Sequence, residues 1–260
     1  MLNLKQIKLQ LLKKQAFHII SFVFGAFLFL NLGCKTSTTI TSNAELIRID
    51  SSLSAEVLAQ KMIQPYKESL DAEMNEVLVI SAIEFPKEKD KPETLLGNFV
   101  DDLSLKIITE KFPESNINFC LLNNGGLRTS LPKGEITRGK IFELMPFDNE
   151  LVIVSLNSTK AKELIQYIYN VRGQPISGVK LDFTLPIDTL FKQLNFGNTV
   201  NVVTTDYLAY GGDKMDFFLN PMQLENTQLK LRDAIIEFCI NENKKGKKIT
   251  SNIDGRIHFK

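Results

Sequence analysis

The sequence predicts an α+β domain with a mixed β-sheet, because helix-like and strand-like segments follow one another in no regular order. The repeated strand–helix alternation that would favour a doubly wound parallel sheet is not seen. With 260 residues and 43% hydrophobic residues, the chain is long enough to bury a sizeable core, in one large domain or two small ones.

The first 33 residues have the layout of a signal peptide. They carry four lysines and no acidic residue, and an apolar run leads to Gly33 and Cys34. The end of this run resembles a bacterial lipobox, although Asn31 stands where an aliphatic residue is usual. We therefore predict a lipoprotein-type signal peptide over residues 1–33, lipidation of Cys34 and a polar tether over residues 34–44. The apolar run also approaches the length of a membrane-spanning helix, so a retained anchor stays open.

This N-terminal segment implies an exported protein, lipid-anchored to a bacterial membrane on its periplasmic or cell-surface side, with a folded domain over residues 45–260. Without the four lysines of residues 1–33, the 31 basic residues become 27, against 30 acidic residues. A net charge near −3 does not favour a nucleic-acid partner, which needs a concentrated basic surface. The one basic run, Glu242–Lys248, is interpreted as a solvated loop tip.

The residue inventory restricts the chemistry of this predicted domain. It holds one histidine, His258, close to the C-terminus. A metal centre built on several histidines, or a Ser–His or Cys–His nucleophile pair, is therefore not favoured. Cys120 and Cys239 stand in apolar runs and are interpreted as two buried thiols, although a disulfide between them stays open.

The first half of the predicted domain contains two helices. Residues 54–78 have helical spacing, with Ser54 as the N-cap and Pro65 as a kink or break. A second helix begins at Thr94, because five apolar residues then recur on one helical face: Leu96, Phe99, Val100, Leu103 and Ile107. Strands are predicted over residues 77–85 and 117–123.

The second half continues the mixture of elements. A short helix is expected after Thr137, which is a good N-cap residue. Further helices are predicted over residues 158–170 and 228–241. Strands are predicted over residues 150–157, 179–185 and 255–259, together with a strand that ends in a glycine turn within residues 199–213.

The segment "NNGGLR", residues 123–128, has the chemistry of a ligand-binding loop. Gly125 and Gly126 allow backbone amides to approach a ligand, and Arg128 offers a forked cation that suits phosphate or carboxylate. Asn123 provides a donor and an acceptor, and Phe147 is able to stack on a planar ring. Taken singly, each of these residues also fits an ordinary turn, surface or core position. Their order, with "GEIT" and then "PFDN" before a strand, favours a binding site.

Several motifs, in order, resemble the C-terminal domain of the 5′-nucleotidase family. They are "ETLLGNFVDDL", "NNGGLR", "GEIT", "MPFDNELVIVSL", "ISGVKLDF", "TTDYLAYGGDKM" and "DGRIHF". The resemblance covers Glu45 to Lys260 and implies a mixed-sheet, layered α/β/β/α fold. In that family an N-terminal metallophosphoesterase domain hydrolyses the substrate, and the C-terminal domain binds the nucleoside and moves it to the metal site.

The resemblance implies a substrate-binding set of Asn123, Gly125, Gly126, Arg128, Phe147, Asp213 and Met215. In this set, Asn123 and Arg128 contact base and phosphate, and Phe147 is one of two aromatic plates around the base. The second plate is expected after the "GGD" turn, where Met215 replaces the usual phenylalanine with a more weakly stacking thioether. The family's arginine ahead of "ETLLGN" is also missing, and Lys89 and Lys91 are taken as the nearest cations.

The resemblance also implies how the chain acts. We expect no catalytic residue, metal ligand or cofactor in this chain, since no metallophosphoesterase motif is recognised before Glu45. The predicted function is the nucleotide-binding half of an exported 5′-nucleotidase-type phosphohydrolase in nucleotide catabolism. Its partner would be a separately encoded metallophosphoesterase chain that holds divalent metals. Two alternatives remain: a non-catalytic nucleoside- or nucleotide-binding module, and a structural lipoprotein that keeps only the fold.

Overall fold

The computed structural model describes residues 4–30, 42, 46, 48–50 and 53–259. The chain divides into two units, Met1–Ala55 and Glu56–Lys260, and each is described by itself. The first unit contains helix α1, Leu4–Leu30. No helix in the described ranges is both long enough and apolar enough to cross a membrane. Cys34 lies outside the described residues, so its lipidation and the boundary at residue 45 stay predictions.

The second unit mixes helices and strands along its whole length. Its helices are α2 Val57–Met74, α3 Leu95–Lys111, α4 Arg138–Leu144, α5 Ser158–Asn170, α6 Ile187–Gln193, α7 Asp206–Ala209 and α8 Leu231–Lys244. Its strands are β1 Val77–Ser81, β2 Phe119–Leu121, β3 Gly134–Thr137, β4 Glu150–Asn157, β5 Ile176–Ser177, β6 Leu181–Asp182, β7 Thr199–Thr205, β8 Gln223–Lys230 and β9 Ile257–His258. Short 3-10 helices cover Pro113–Ser115, Gly212–Lys214 and Asp216–Phe218.

The main sheet has five strands in the order β5-β2-β7-β4-β8. Strands β2 and β7 are parallel, and every other neighbouring pair in this sheet is antiparallel. Two smaller sheets accompany it, an antiparallel pair of β1 with β3 and a parallel pair of β6 with β9. The predicted α+β class with a mixed sheet is confirmed.

Alternation along the strands divides the apolar residues between two cores, one on each face of the main sheet. In β4, Leu151 and Ile153 belong to the core that contains residues of α3 and α8, which we call the α3/α8 core. Val152 and Val154 belong to the core that contains residues of α5, which we call the α5 core. Because side chains of a strand point to alternate faces, an apolar run such as β4 is buried on both sides.

Most predicted helices begin where the sequence places an N-cap. Thr94 Oγ1 accepts a hydrogen bond from the Gly97 amide at 3.0 Å, and α3 starts at the next residue. Thr137 caps α4 in the same way. The five apolar residues predicted to share a face of α3 are all buried in the α3/α8 core. Cys120 and Cys239 are also buried there as free thiols, which confirms the interpretation of two separate cysteines.

Helix α2 differs from its prediction in its N-cap. Its N-cap is Glu56, whose Oε2 accepts from the Ala59 amide at 2.5 Å, and not Ser54. The helix also continues through Pro65 without a break. None of the residues of α2 is buried. Water is therefore able to bind the backbone carbonyl, one turn before Pro65, that has no amide hydrogen to accept.

The C-terminal part contains the larger errors of prediction. Residues 228–230, predicted as helix, belong to strand β8, because Gln223–Lys230 pairs with β4 along most of its length. A helix therefore starts only at Leu231. The strand predicted over residues 179–185 is reduced to Leu181–Asp182, since β9 offers it only two residues to pair with. Both errors arise because pairing partners decide strand length, and the sequence pattern does not show them.

Candidate functional site

The sheet brings three loops to one edge, where they surround a cavity of about 340 Å³. Strands β2 and β7 are parallel neighbours, so the turn after β2 and helix α7 after β7 lie side by side. Strand β4 runs antiparallel to β7, so the residues that precede β4 reach the same edge. The cavity is lined by Asn123, Gly125, Gly126, Arg128, Phe147, Asn149, Tyr207 and Asp213. Ligand sites commonly lie beyond the carboxyl ends of parallel strands in this way.

The two glycines of the turn differ in how much room a side chain would have. A Cβ on Gly126 would lie 2.8 Å from Asn123 Oδ1, a distance at which one of the two atoms must move. A Cβ on Gly125 would lie 3.5 Å from Asp213 Oδ2, which is ordinary contact. The position of the Asn123 side chain therefore favours glycine at position 126, whereas a Cβ at position 125 would fit.

Asp213 is the acidic group of the cavity. Its Oδ2 accepts a hydrogen bond from Asn123 Nδ2 at 2.6 Å, and its Oδ1 accepts one from the Tyr207 hydroxyl at 2.9 Å. The hydrogen bond to Asp213 raises the pKa of Tyr207 above its ordinary value. These bonds join the turn after β2 to the segment after β7, so the two walls of the cavity hold each other in place.

Two aromatic rings, Phe147 and Tyr207, line the cavity and are 41% and 47% exposed. Met215, expected as the second plate, is fully buried in the α5 core. The short 3-10 helix that follows it buries Phe217 and Phe218 as well. The structure therefore does not bring Met215 to the cavity, whereas Tyr207 lines it. The position of Tyr207 has one signal in the sequence, the threonine that ends strand β7. Thr205 is the N-cap of α7, so Tyr207 lies in the first turn of that helix, next to the end of the strand.

Arg128 lies beside the Phe147 ring, with its Cζ 5.8 Å from the ring centroid. One guanidinium nitrogen, Nη1, donates to the Gly125 carbonyl at 3.2 Å. The Arg128 amide donates to the Leu144 carbonyl at 2.8 Å, which anchors the backbone of the turn to α4. The guanidinium side chain is exposed, so most of its donors face solvent or a ligand.

A second cavity of about 440 Å³ shares Gly125 and Arg128 with the first and adds a further cation, Lys87. Lys87 Nζ donates to the Asn124 carbonyl. Burial lowers the pKa of Lys87, and the neighbouring positive charges of Arg128 and Lys89 lower it further. Of the two cations predicted from the sequence, Lys89 lines this cavity, whereas Lys91 pairs with Glu88. The structure thus places Lys87 with Arg128.

The main group of carboxylates in the described part of the chain is not built for a metal ion. Glu93, Asp102 and Asp254 surround the guanidinium of Arg256, which forms ion pairs with all three. In the described ranges, no three His, Cys, Asp or Glu side chains are placed to hold a metal ion. His258, the histidine of the predicted domain, is exposed on β9.

The fold is an α+β domain with a cavity at one edge of its main sheet, and comparison with known proteins gives its family. A family model described as "5′-nucleotidase, C-terminal domain" matches residues 76–220, more than half of the chain. The chain therefore belongs to this family, and the resemblance seen in its motifs is confirmed.

Individual relatives agree with this assignment. The "trifunctional nucleotide phosphoesterase protein YfkN" of Bacillus subtilis (strain 168) is 26% identical over 242 residues, which cover 84% of this chain and 16% of that protein. A 5′-nucleotidase of Vibrio vulnificus (strain CMCP6) is 23% identical over 196 residues, 69% of this chain and 33% of that protein. The crystal structure of a 5′-nucleotidase precursor from Thermus thermophilus matches with a TM-score of 0.60 at 23% identity, over 77% of this chain and 43% of that one. The chain thus spans less than half the length of each, and the structural likeness shows the fold alone.

Proposed function

We propose that this chain is the nucleotide-binding half of an exported 5′-nucleotidase-type phosphohydrolase that acts in nucleotide catabolism. The observation that carries the proposal is the convergence, in one cavity, of two exposed aromatic rings, an acceptor carboxylate and a cation. Family membership and the names of the relatives agree with it. The proposal assigns each group of the cavity to one part of a nucleotide.

The nucleobase is proposed to stack on Phe147 and Tyr207. Both rings are large, flat and about half exposed, so each has a surface on which a planar nucleobase could stack. Asn149 lies beside them, and its side-chain amide has no hydrogen-bond partner in the described part of the chain. An amide of this kind offers a donor and an acceptor to the edge of a base.

The sugar is proposed to donate hydroxyl hydrogen bonds to Asp213. An ionised carboxylate is an acceptor only, and each oxygen accepts more than one hydrogen bond. Asn123 and Tyr207 use one position on each oxygen of Asp213, which leaves further positions for a ligand. Hydroxyl donors on a sugar match this chemistry.

The phosphate is proposed to bind to Arg128, with Lys87 as a second cation. The two residues line one cavity, and the positive charge of Arg128 disfavours the charged form of Lys87 when no anion is present. A phosphate placed there would relieve this repulsion and accept charge-assisted hydrogen bonds.

Phosphate release is proposed to occur with a separately encoded metallophosphoesterase chain, which would bind divalent metals. A two-metal site stabilises both the attacking and the leaving oxygen of the displacement. In this division of work, Phe147, Tyr207, Asp213 and Arg128 hold the nucleotide, and no metal or other cofactor is assigned to this chain.

Isothermal titration calorimetry with AMP and adenosine tests the binding step. We expect wild-type protein to bind AMP, and Arg128→Ala to weaken AMP binding by about tenfold or more, because a hydrogen-bonded charge is lost. Adenosine binding should change less, since adenosine carries no phosphate. Lys244→Ala, on the exposed end of α8, is the matched control and should leave both affinities unchanged. Equal AMP binding by wild type and Arg128→Ala would contradict the assignment of the phosphate.

A mixing experiment tests the partnership. Phosphate release from AMP is measured for a metallophosphoesterase chain alone and after addition of this protein at several ratios. The proposal expects a higher rate in the mixture and a smaller gain with Phe147→Ala. If AMP binds but no metallophosphoesterase chain gains activity at any ratio, the non-catalytic binding module becomes the better account.

We also propose that the protein is anchored by lipid at Cys34. The support is the order of basic residues, apolar run and Gly33–Cys34 in the sequence. Metabolic labelling with an alkyne fatty acid in a bacterial host should label the wild type and not Cys34→Ser. Equal labelling of the two proteins, or none, would contradict the proposal.

A further inference from the structure

The backbone at Asp213 has an unusual conformation for a residue with a side chain. Its φ of 53° and ψ of 27° are left-handed, and the next residue, Lys214, also has a positive φ of 62°. Two consecutive residues other than glycine in this region are disfavoured by contacts of the Cβ atom. The surrounding structure must therefore hold this turn, and such strain is common where a side chain is aimed at a ligand.

Three side chains from three different elements hold Asp213. The Tyr167 hydroxyl, on α5, donates to the Asp213 carbonyl at 3.0 Å. The Tyr207 hydroxyl, on α7, donates to Oδ1, and Asn123, after β2, donates to Oδ2. One bond restrains the peptide group and two restrain the carboxylate, so both the position and the rotation of the side chain are determined.

Tyr167 is itself held in place and does not line the cavity. Its ring packs against Phe217 of the α5 core, with ring centroids 5.4 Å apart. Burial raises the pKa of its hydroxyl, so this group stays a hydrogen-bond donor at neutral pH. Tyr167 therefore connects the core to the turn that carries Asp213.

Tyr207 has two separate roles in this arrangement. Its ring forms one wall of the cavity, and its hydroxyl at the far end of the ring binds Asp213. A phenylalanine at this position would keep the wall and lose the bond. A Cβ on Gly212 would lie 2.5 Å from Tyr207 Cε1, so the glycine is needed for the ring to lie against this turn.

We propose that the hydroxyls of Tyr167 and Tyr207 form a tyrosine clamp, which fixes the Asp213 carboxylate in the orientation that accepts ligand hydroxyls. Tyr167 is thus a positioning residue, and Tyr207 positions Asp213 in addition to contacting the ligand. The inference rests on the proposed function. It goes further by naming the residues that determine how strongly the site selects ligands with sugar hydroxyls. A preset carboxylate loses less freedom on binding, so it discriminates better than a mobile one.

Calorimetry with adenosine and with 2′,3′-dideoxyadenosine tests the clamp on the full chain. We expect Tyr167→Phe and Tyr207→Phe each to weaken adenosine binding about three- to tenfold, because Asp213 loses one of the bonds that orient it before the ligand binds. Binding of dideoxyadenosine, which offers no 2′- or 3′-hydroxyl, should change by less than about twofold. Tyr169→Phe, close by on α5 and packed on Phe183, should leave both affinities unchanged.

The two ligands separate positioning from a general effect on the fold. Equal weakening of both ligands would overturn the inference, because it would mean that the tyrosines support only the shape of the cavity. Unchanged binding in both variants would overturn it as well. If wild-type protein binds neither ligand, the proposed function fails and the inference fails with it. If the wild type binds adenosine and both tyrosine variants bind it equally well, only the inference fails and the proposed function stands.

Discussion

Arg256 and Arg128 lie in opposite electrostatic surroundings. Arg256 is buried, and its guanidinium lies 2.8 Å from Asp102 Oδ1 and 3.0 Å from Asp254 Oδ2. Arg128 is exposed, has no carboxylate partner in the described ranges and has a second cation, Lys87, nearby. The difference separates charge that holds the fold together from charge that is left available to a ligand.

The Arg256 group connects segments that are far apart in the sequence. Its Nη1 also donates to the Ile176 carbonyl on β5, at 2.8 Å. Asp102 lies on α3, so one guanidinium joins this helix, the edge of the main sheet and the C-terminal segment. Burial alone would lower the pKa of Arg256, but the hydrogen bonds and charges of Asp102 and Asp254 raise it.

The largest expected effect follows from breaking the paired group. Arg256→Met should lower the free energy of unfolding by about 3 kcal/mol, the low end for a broken buried ion pair, because Glu93 is buried whereas Asp102 and Asp254 are partly exposed. Arg128→Met is the matched control and should change stability by less than about 0.5 kcal/mol. Urea unfolding followed by circular dichroism measures both. Similar losses in the two variants would remove the distinction between the regions.

Asp101 sharpens the comparison, since it is a buried acid without a cation bound to it. Within the described part of the chain, neither carboxylate oxygen has a conventional hydrogen-bond partner, and burial raises the pKa of Asp101 to about 8. The adjacent thiol of Cys120 and the charge of Arg256 lower this pKa, whereas the charge of Asp102 raises it. The folded state thus prefers a protonated Asp101 in a range where the unfolded chain has lost that proton.

The sign of the pH effect follows directly. Between a pKa near 4 in the unfolded chain and about 8 in the folded chain, only the folded state binds this proton. The contribution of Asp101 to stability is therefore largest at low pH and falls as pH rises, by about 1.4 kcal/mol per pH unit at its steepest. Asp101→Asn should remove this slope, so its advantage over wild type should grow from pH 5 to pH 8 in urea titrations. Parallel curves for the two proteins would show that Asp101 titrates normally.

A smaller effect is expected from crowding the cavity without changing its charge. Gly126→Ala places a Cβ 2.8 Å from Asn123 Oδ1 and should displace the side chain that binds Asp213. We expect AMP affinity to fall by about tenfold, since one hydrogen bond and the shape of the cavity are lost. Gly197→Ala is the control, because a Cβ there meets no atom of the described residues within 4 Å. Equal affinity in the two variants would show that Asn123 is not needed for binding.

The smallest expected effect is that of salt on the unpaired cations. Raising NaCl from 50 to 500 mM should weaken AMP binding about threefold, because ions screen exposed charges. Adenosine binding should stay nearly constant, and Arg128→Ala should reduce the salt dependence of AMP binding. Calorimetric titrations at four salt concentrations check this. A salt effect of the same size on adenosine would contradict the role of the cations.

The local sequence determined the bounds of those helices and strands that begin or end at a signal in neighbouring residues. Helix α5 covers residues 158–170 and strand β4 covers residues 150–157, both as predicted. The start of α5 is marked by its cap residue, Asn157, and the extent of β4 is marked by a continuous apolar run. Both signals lie within a few residues of the element. The segment over residues 123–128 was likewise recognised from its glycines, asparagine and arginine.

Tertiary structure decided what the local pattern does not contain. Met215 and Tyr207 stand eight positions apart in one glycine-rich segment, yet the first is fully buried and the second lines the cavity. Burial depends on which face of the turn packs against the α5 core, and residues distant in sequence supply that core. The same holds for Lys87 beside Arg128, which only the folded chain brings together.

The sequence by itself therefore determined the family, the fold class and most of the polar groups of the candidate site, because ordered motifs and element periodicities are local properties. Only the folded chain decided which aromatic residue completes the cavity, which lysine accompanies Arg128 and how Asp213 is held. These features depend on two long-range contacts. The parallel pairing of β2 with β7 joins residues 83 positions apart, and the hydrogen bond from Tyr167 of α5 to Asp213 joins residues 46 positions apart.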